Sequence, residues 1–316
     1  MINQGLTVGE VGEIGVIEII RAAAKSKING DDAAVLFKAP PNTRTVVTTD
    51  TLVNQRHFNL KWSTPAEIGA KAITQNFADI EAMGARPIAA VLALTLAKNT
   101  PIEFVQGLSI GIQNQLTEFS AELVGGDLTA GPDIVITITA IGTLGGSRPP
   151  LTLNKAKPGQ RLVASGQIGY SAAGLALLEY FGRDMPAEFI PLRDAHTHPK
   201  IQPARGMIAR ATGATAATDN SDGLAVDTAT LAKHSKVAID LNPAAIKPNE
   251  LLQAAADYLG TDPWQWILSG GEDHTILATT SAATPSGFRD IGTVSRGQGL
   301  TLGGKALPYI SGWLSF

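Results

Sequence analysis

The sequence predicts an α/β protein of two domains, and three observations support this prediction. At 316 residues the chain is long for one domain, and its hydrophobic content of 44% argues for a fully folded protein. β-Branched strand-like runs such as 134–143 alternate with segments of helical periodicity such as 64–83. The stretch 145–159 is rich in glycine and proline and is typical of a domain boundary. We therefore predict domains over residues 1–147 and 148–316.

Composition excludes several classes of function. The net charge is −3 with no run of lysine or arginine, so we expect neither nucleic acid nor an acidic membrane as a partner. The absence of cysteine excludes disulfides, thiolate metal sites and cysteine nucleophiles. The longest apolar stretch, 88–97, is shorter than the roughly 20 residues needed to cross a bilayer. Residues 1–13 lack the basic and apolar regions of a signal peptide, and we expect a cytoplasmic protein.

A helix is predicted to begin at Thr64 and to stop at Gly84. Thr64 is followed three residues later by glutamate, which is the pattern of a capping box, and glycine is a common helix terminator. A helical wheel places Asn76 and Asp79 within the apolar arc. A carboxylate buried there must be paired, protonated or bound to a metal, because an isolated buried charge is costly. An equally weighted alternative is a slight rotation of the helix that brings Asp79 to solvent.

Aspartates recur in short polar segments next to strand-like or helical patterns. Carboxylates beside glycines suit hard cations and the phosphates that these cations carry. One such segment is ordinary, because Asp and Gly are common in turns, but five in one chain are harder to dismiss. The five segments are Gly30-Asp31-Asp32-Ala33-Ala34, Thr48-Thr49-Asp50-Thr51, Asn76-Phe77-Ala78-Asp79, Gly125-Gly126-Asp127 and Asp219-Asn220-Ser221-Asp222-Gly223. We expect the fourth to be a turn, and the fifth to start a helix at Ser221.

Other catalytic and binding motifs are absent from the sequence or weak. The chain has neither a Walker A loop nor a Gly-x-Ser-x-Gly nucleophile elbow, and its Gly166-Gln167-Ile168-Gly169 segment lacks the spacing of a dinucleotide fingerprint. The segment His196-Thr197-His198 has no third histidine or cysteine nearby, so we predict a solvated loop and not a metal site. Asp227 lies at the edge of a helix's apolar face, and we predict that it is a structural hydrogen-bond acceptor.

The remaining carboxylates have the chemistry of a nucleotide site that holds several Mg²⁺ ions. Mg²⁺ prefers oxygen ligands and is usually held by a few carboxylates together with substrate phosphates. Without a P-loop lysine, the metals themselves must neutralise the triphosphate of ATP. The set comprises Asp32, Asp50, Asp79, Asp127, Asp219 and Asp222.

An ordered series of motifs covers nearly the whole chain. It consists of Gly30-Asp31-Asp32-Ala33-Ala34, Thr49-Asp50-Thr51-Leu52-Val53 with His57-Phe58, Lys71 to Gly84-Ala85, Gly125-Gly126-Asp127, Lys157-Pro158-Gly159, Ser221-Asp222-Gly223-Leu224 and Gly270-Gly271-Glu272-Asp273. In this order the motifs resemble the thiamine-monophosphate kinases. That family belongs to a superfamily with aminoimidazole ribonucleotide synthase, selenophosphate synthetase and a hydrogenase maturation factor. Each fragment alone is weak, whereas the ordered set is specific to the superfamily.

The resemblance implies a site and a reaction. It implies metal ligation by Asp32, Thr48, Thr49, Asp50, Asp79, Asp127, Asp219 and Asp222, among which Asp79, Asp127 and Asp222 are catalytic. It further implies ATP contacts at Gly126, Asp127 and Ser221, and substrate contacts at His57 and Glu272. The reaction is direct in-line transfer of the γ-phosphoryl group of ATP onto the phosphate of a small phosphorylated metabolite.

The resemblance also implies an architecture. The expected fold is that of aminoimidazole ribonucleotide synthase, in which the N-terminal domain pairs with its twin in a homodimer. Two half-sheets then form a barrel-like core, and the C-terminal domain is an α/β sandwich. ATP and Mg²⁺ are expected in a cleft between the two domains.

The chain departs from the family pattern outside the acids. Leu153 stands where the family has an ATP-contacting arginine, and Ile310 stands where an aromatic residue covers thiamine, with Trp313 three residues on. Leu128 and His274 replace a threonine and a tyrosine. Three hypotheses therefore remain: a thiamine-monophosphate kinase, a related enzyme that phosphorylates or activates another small molecule, and an ATP-binding protein without turnover.

Overall fold

The computed structural model describes residues 5–26, 28, 34, 36 and 41–312. Asp32 and Trp313 lie outside the described residues. The chain separates into two compact units, one of residues 1–80 with 87–145 and the other of residues 81–86 with 146–316. Within the described part of the chain, no helix has both the length and the apolar character needed to cross a membrane.

The described residues of the first unit form a four-stranded mixed sheet and three helices. Its elements are α1 (Val8–Ala23), β1 (Arg44–Val53), α2 (Pro65–Ala82), β2 (Arg86–Leu96), α3 (Ile102–Phe119), β3 (Glu122–Ala130) and β4 (Val135–Leu144). The strand order is β1-β4-β2-β3, with β1 and β4 antiparallel and β2 and β3 parallel. The predicted strand 134–143 corresponds to β4 within one residue.

Alternation along β1 gives the sheet two different faces. Val47 and Thr49 are exposed, whereas Thr48 and Asp50 on the other face are partly buried. In the register of the pair, Thr48 lies opposite Ala140 and Asp50 opposite Ile138, and both partners are fully buried. Because successive residues of a strand point to opposite faces, Thr48 and Asp50 share the inner face of this sheet.

The predicted ends of α2 are confirmed. The Thr64 N–H donates to Glu67 Oε2 at 2.7 Å, and the Glu67 N–H donates to Thr64 Oγ1 at 3.3 Å, which completes a capping box. At the other end, Gly84 has φ +72° and its N–H donates to the Glu81 carbonyl oxygen. The start of α2 packs closely on α3, since a Cβ at Gly111 would overlap the Ala66 carbonyl oxygen.

The second unit contains a six-stranded sheet in the order β10-β7-β9-β5-β8-β6. Its elements are β5 (Arg161–Ser165), α4 (Tyr170–Phe181), a 3₁₀ turn (Ala187–Phe189), α5 (Ile190–Thr197), α6 (Arg205–Ala211), β6 (Ala216–Thr218), α7 (Leu224–Ser235), β7 (Ala238–Leu241), α8 (Pro243–Ile246), α9 (Glu250–Leu259), α10 (Pro263–Ser269), β8 (Ile276–Thr280), β9 (Arg289–Ser295) and β10 (Gly299–Leu302). Side chains of α4, α7, α9 and α10 bury the main core against this sheet.

Three local predictions were wrong. Gly125-Gly126-Asp127 lies inside β3 and not in a turn. Ser221 does not cap α7, because the helix begins at Leu224 and its N-cap residue is Gly223, which has no side chain. His196 and Thr197 form the buried C-terminal end of α5 and not a solvated loop. Pairing with β2 overrode the turn signal at Gly125-Gly126-Asp127, and packing of α5 on α4 buried His196.

Candidate active site

In the first unit, β1 and α2 bring together three polar side chains and one backbone amide. The Thr48 hydroxyl donates to Asp79 Oδ2 at 2.7 Å, and the Asp50 backbone N–H donates to Asn76 Oδ1 at 2.9 Å. Asn76 and Asp79 are three residues apart and so share one face of α2. Asn76 is buried and donates to the Ala72 carbonyl, whereas Asp79 is partly exposed. Asp79 is therefore paired with a hydroxyl and also reaches the surface of its unit.

Thr49 lies apart from this group. Its hydroxyl contacts Thr139 Oγ1 at 3.1 Å and donates to the Ile138 carbonyl oxygen at 3.0 Å. Strand alternation turns its side chain to the outer face, away from Thr48 and Asp79. The structure thus gathers Thr48, but not the Thr49 hydroxyl, with the acids of this unit.

Gly126 and Asp127 lie on β3, at the opposite end of the sheet from β1. A register shift after Ala90 leaves a bulge in the pairing of β2 with β3 just before the two glycines. A Cβ at Gly126 would overlap the Leu92 carbonyl oxygen, whereas a Cβ at Gly125 would meet open space. Asp127 is exposed, and β4 and β2 separate its strand from that of Asp50.

His57 lies in a tight turn after β1. Its Nδ1 accepts the Val53 N–H at 3.0 Å, so the neutral ring carries its hydrogen on Nε2. The Lys71 ammonium donates to the His57 carbonyl oxygen at 2.9 Å, although the Lys71 side chain is almost completely buried. The sequence contained Lys71 within a motif but did not indicate that its cation would fix this turn.

In the second unit, the segments 219–223 and 270–275 are joined by backbone hydrogen bonds. The Glu272 N–H donates to the Ser221 carbonyl oxygen at 2.8 Å, and the His274 N–H donates to that of Asn220 at 3.0 Å. A Cβ at Gly271 would overlap the Ser221 carbonyl oxygen, so only glycine permits this approach. The two motifs, about 50 residues apart in sequence, therefore form one hydrogen-bonded element.

Asp219 is held on both oxygens inside this element. Oδ1 accepts from the Ser221 hydroxyl at 3.0 Å, and Oδ2 lies 3.1 Å from His274 Nδ1. Asp219 and His274 are both buried. His274 is thus a second contact of a predicted metal ligand, a role that sequence reasoning missed because the contact is tertiary.

Asp227 is a structural acceptor, as predicted. Its Oδ2 accepts the N–H groups of Asp222 and Gly223, each at 3.0 Å, at the start of α7. Burial, together with the negative charges of Asp219 and Asp222, raises the pKa of Asp227 to about 8. Asp219 and Asp222 are therefore close enough to Asp227 for their charges to act on it. Carboxylate oxygens such as those of Asp219 and Asp222 are the kind of ligand that Mg²⁺ prefers.

Asp273 stabilises the neighbouring helix. Its carboxylate accepts the N–H groups of Gly169 at 2.6 Å and of Ser171 at 2.9 Å, at the N-terminus of α4. Burial raises the pKa of Asp273 to about 7, although these hydrogen bonds act to lower it. In the Gly-Gly-Glu-Asp motif, the aspartate is therefore structural and Glu272 is the member whose side chain is partly exposed.

The departures from the family pattern fall in different surroundings. Leu153 is partly buried against the hydrophobic core of the second unit, and its carbonyl oxygen accepts from the Ser235 hydroxyl. Ile310 is 75% exposed.

A cavity of about 440 Å³ in the second unit is lined by Asp273 and His274, among others, but by none of the predicted site residues. The cavity therefore does not locate the site.

Comparison with known proteins decides the family. Residues 30–144 match the family model "AIR synthase related protein, N-terminal domain". Over its full length the chain is 59% identical to the thiamine-monophosphate kinase of Corynebacterium glutamicum, 96% of which is covered. The chain belongs to the thiamine-monophosphate kinase family.

Two further relatives agree with this assignment. The thiamine-monophosphate kinase of Mycobacterium tuberculosis is 41% identical over 98% of this chain and 93% of its own length. A solved structure described as AaThiL complexed with AMPPCP and TMP is similar with a TM-score of 0.80 at 28% identity, covering 99% of this chain and 100% of the other. The mixed α/β fold with two sheets is thereby confirmed.

Proposed function

We propose that this protein is an ATP-dependent kinase that converts thiamine monophosphate into thiamine diphosphate. The observation that carries the proposal is the 59% identity over the full length to a thiamine-monophosphate kinase. The carboxylate groups of both units supply a chemical rationale. A phosphate oxygen of the acceptor attacks the γ-phosphorus of ATP, the bond from that phosphorus to the bridging oxygen breaks, and ADP leaves.

We propose that Asp50, Asp79 and Asp127 are Mg²⁺ ligands of the first unit, with Asp32 as a further ligand outside the described residues. In the second unit we propose Asp219 and Asp222 as Mg²⁺ ligands. When bound, the ions supply positive charge that offsets the charge of the triphosphate. Thr48 orients the Asp79 carboxylate, and Ser221 and His274 orient that of Asp219. Such preorganisation is valuable because phosphoryl transfer depends mainly on positioning and charge neutralisation.

The nucleotide and the acceptor would contact different elements. We assign ATP contacts to Gly126, Asp127 and Ser221, where glycine allows a close backbone approach. We assign acceptor contacts to His57 and Glu272. The fixed tautomer of His57 offers an Nε2–H donor, which suits a phosphate oxygen, and the carboxylate of Glu272 suits the cationic thiazolium or the amino group of thiamine.

We propose that the first unit also forms a homodimer through the outer face of its sheet. Val47 is 65% exposed there and lies opposite Ile141 in the register of β1 and β4. The adjoining threonines pair with one another, as in the 2.8 Å contact of Thr51 with Thr137, so the face carries methyl groups and satisfied hydroxyls. Such a face suits a second copy of the same sheet, which would build the barrel-like core.

Product chromatography tests the proposed function. The purified protein with ATP, Mg²⁺ and thiamine monophosphate should yield equal amounts of ADP and thiamine diphosphate. Unphosphorylated thiamine is the matched control and should yield no product, because the acceptor group is a phosphate. Stabilisation of the protein by ATP and Mg²⁺ without formation of thiamine diphosphate would overturn the proposal in favour of another acceptor on the same site.

A further inference from the structure

The backbone at Glu272 is held in a conformation that is uncommon for its residue type. Glu272 has φ +61° and His274 has φ +50°, both in the left-handed region. Such residues persist only where the surroundings impose them, and they concentrate at functional sites. Here the hydrogen bonds from Glu272 to Ser221 and from His274 to Asn220 impose the conformation. The backbone therefore fixes the direction in which the Glu272 side chain leaves the turn.

A buried histidine lies behind the Glu272 carboxylate. Nδ1 of His196 is 3.5 Å from Glu272 Oε2 and 3.1 Å from Ser171 Oγ. The side chains of His196 and Ser171 are buried, whereas that of Glu272 is 25% exposed. The Ser171 hydroxyl and His196 Nδ1 form a hydrogen bond, and the Glu272 carboxylate lies at ion-pair distance from the same nitrogen.

The packing of α4 on α5 fixes the position of His196. A Cβ at Gly174 of α4 would overlap the Leu192 carbonyl oxygen and would lie 3.2 Å from His196 Cβ. Ser171 is the second residue of α4, and its N–H donates to Asp273, the residue after Glu272. Helices α4 and α5 and the turn at Glu272 therefore all contribute groups close to the Glu272 carboxylate.

We infer that His196 and Ser171 are positioning residues that hold the Glu272 carboxylate toward the cationic part of the acceptor. This inference rests on the proposed function and extends it to residues outside the predicted site. A carboxylate that neighbouring buried side chains already hold in place loses less conformational entropy when it binds a cation or an amino group. His196 acts through Glu272 and does not itself meet the acceptor.

The three side chains are not a hydrolytic triad. In a triad, the two ring nitrogens of histidine contact the nucleophile and the carboxylate separately, whereas here Ser171 and Glu272 share Nδ1. Ser171 is only 1% exposed, so its hydroxyl is closed to a substrate. The arrangement supports orientation and not nucleophilic attack.

Steady-state kinetics with matched variants tests the inference. His196→Leu should raise the KM for thiamine monophosphate up to about tenfold, because the 3.5 Å contact with the Glu272 carboxylate is weaker than a full hydrogen bond to a charged group. The KM for ATP should not change. His196→Asn keeps an N–H donor near the place of Nδ1 and should restore most of the acceptor affinity. The double variant with Glu272→Gln should be no worse than Glu272→Gln alone, because both changes remove one interaction.

Three outcomes would overturn the inference: equal rises in both KM values, failure of His196→Asn to restore affinity, or additive effects in the double variant. If His196→Leu does not fold, Ser171→Ala and His196→Asn carry the test, with the same required separation of the two KM values. Normal wild-type turnover with an unchanged KM in His196→Leu overturns this inference alone. Absence of thiamine diphosphate from the wild-type reaction overturns the proposed function as well.

Discussion

The Thr48 hydroxyl donates a 2.7 Å hydrogen bond to Asp79 Oδ2, while the next residue, Thr49, points its hydroxyl to the opposite face of the sheet. These neighbours form a natural pair of variants. Thr48→Val should weaken Mg²⁺-dependent ATP binding about tenfold, because a hydrogen bond to a charged group contributes roughly 1.5–3 kcal/mol. Thr49→Val should bind ATP and Mg²⁺ with the affinity of the wild type. Titration calorimetry with a non-hydrolysable ATP analogue measures both, and equal affinities in the two variants would contradict the assignment of Asp79 as a preorganised ligand.

The two glycines before Asp127 should differ in their tolerance of a methyl group. Gly126→Ala places a Cβ on the Leu92 carbonyl oxygen, and we expect a loss of about 1–3 kcal/mol in the free energy of unfolding, typical of overpacking. Gly125→Ala meets open space and should be nearly neutral. Chemical denaturation followed by circular dichroism compares them. Equal stability of the two variants would refute the described pairing of β2 with β3.

Glu81 should make stability depend on pH. Its buried carboxylate accepts the N–H groups of Ala204 and Gly206, and burial raises its pKa from 4.5 to about 7. A raised folded-state pKa stabilises the fold fully below pH 4.5, and the stabilisation is lost as the pH rises through about 7. The advantage of wild type over Glu81→Gln should therefore fall by on the order of 3 kcal/mol across this window, since each pKa unit corresponds to about 1.4 kcal/mol.

Denaturation at several pH values measures this advantage. Glu103→Gln is the control, because a hydrogen bond from Gly5 lowers the pKa of that exposed carboxyl and no such fall is expected. A wild-type advantage over Glu81→Gln that is constant between pH 4.5 and 7 would show that Glu81 is ionised throughout.

The dimer proposal predicts a mass by light scattering of about twice the chain mass of 32.9 kDa. Val47→Glu places a charge on the outer face of β1 and should give a monomer, because an unpaired charge is costly in an interface. Ile110→Glu, on the exposed part of α3, is the matched control and should leave the mass unchanged. A wild-type monomer at micromolar concentration would exclude the dimer and the barrel-like core.

Local signals explain which parts of the fold were predictable. The capping box at Thr64 and the glycine at residue 84 are short-range patterns, and they gave the limits of α2 correctly. The placement of Asp79 near the apolar face also followed from periodicity. His196, His274 and Thr49 were different, because their roles depend on contacts with residues distant in sequence. Periodicity and turn propensity carry no information about such contacts, whereas the resemblance supplied only the residues within the matching motifs.

Direct transfer of the γ-phosphoryl group to thiamine monophosphate at the carboxylate site is measured most directly in a single-turnover reaction. The reaction uses excess enzyme and ATP carrying radioactive phosphorus at the γ position. We predict that the label appears in thiamine diphosphate in one step with wild type, and that Asp79→Asn and Asp127→Asn leave it in ATP. Release of the label as inorganic phosphate, or transfer at the wild-type rate in both variants, would contradict the account.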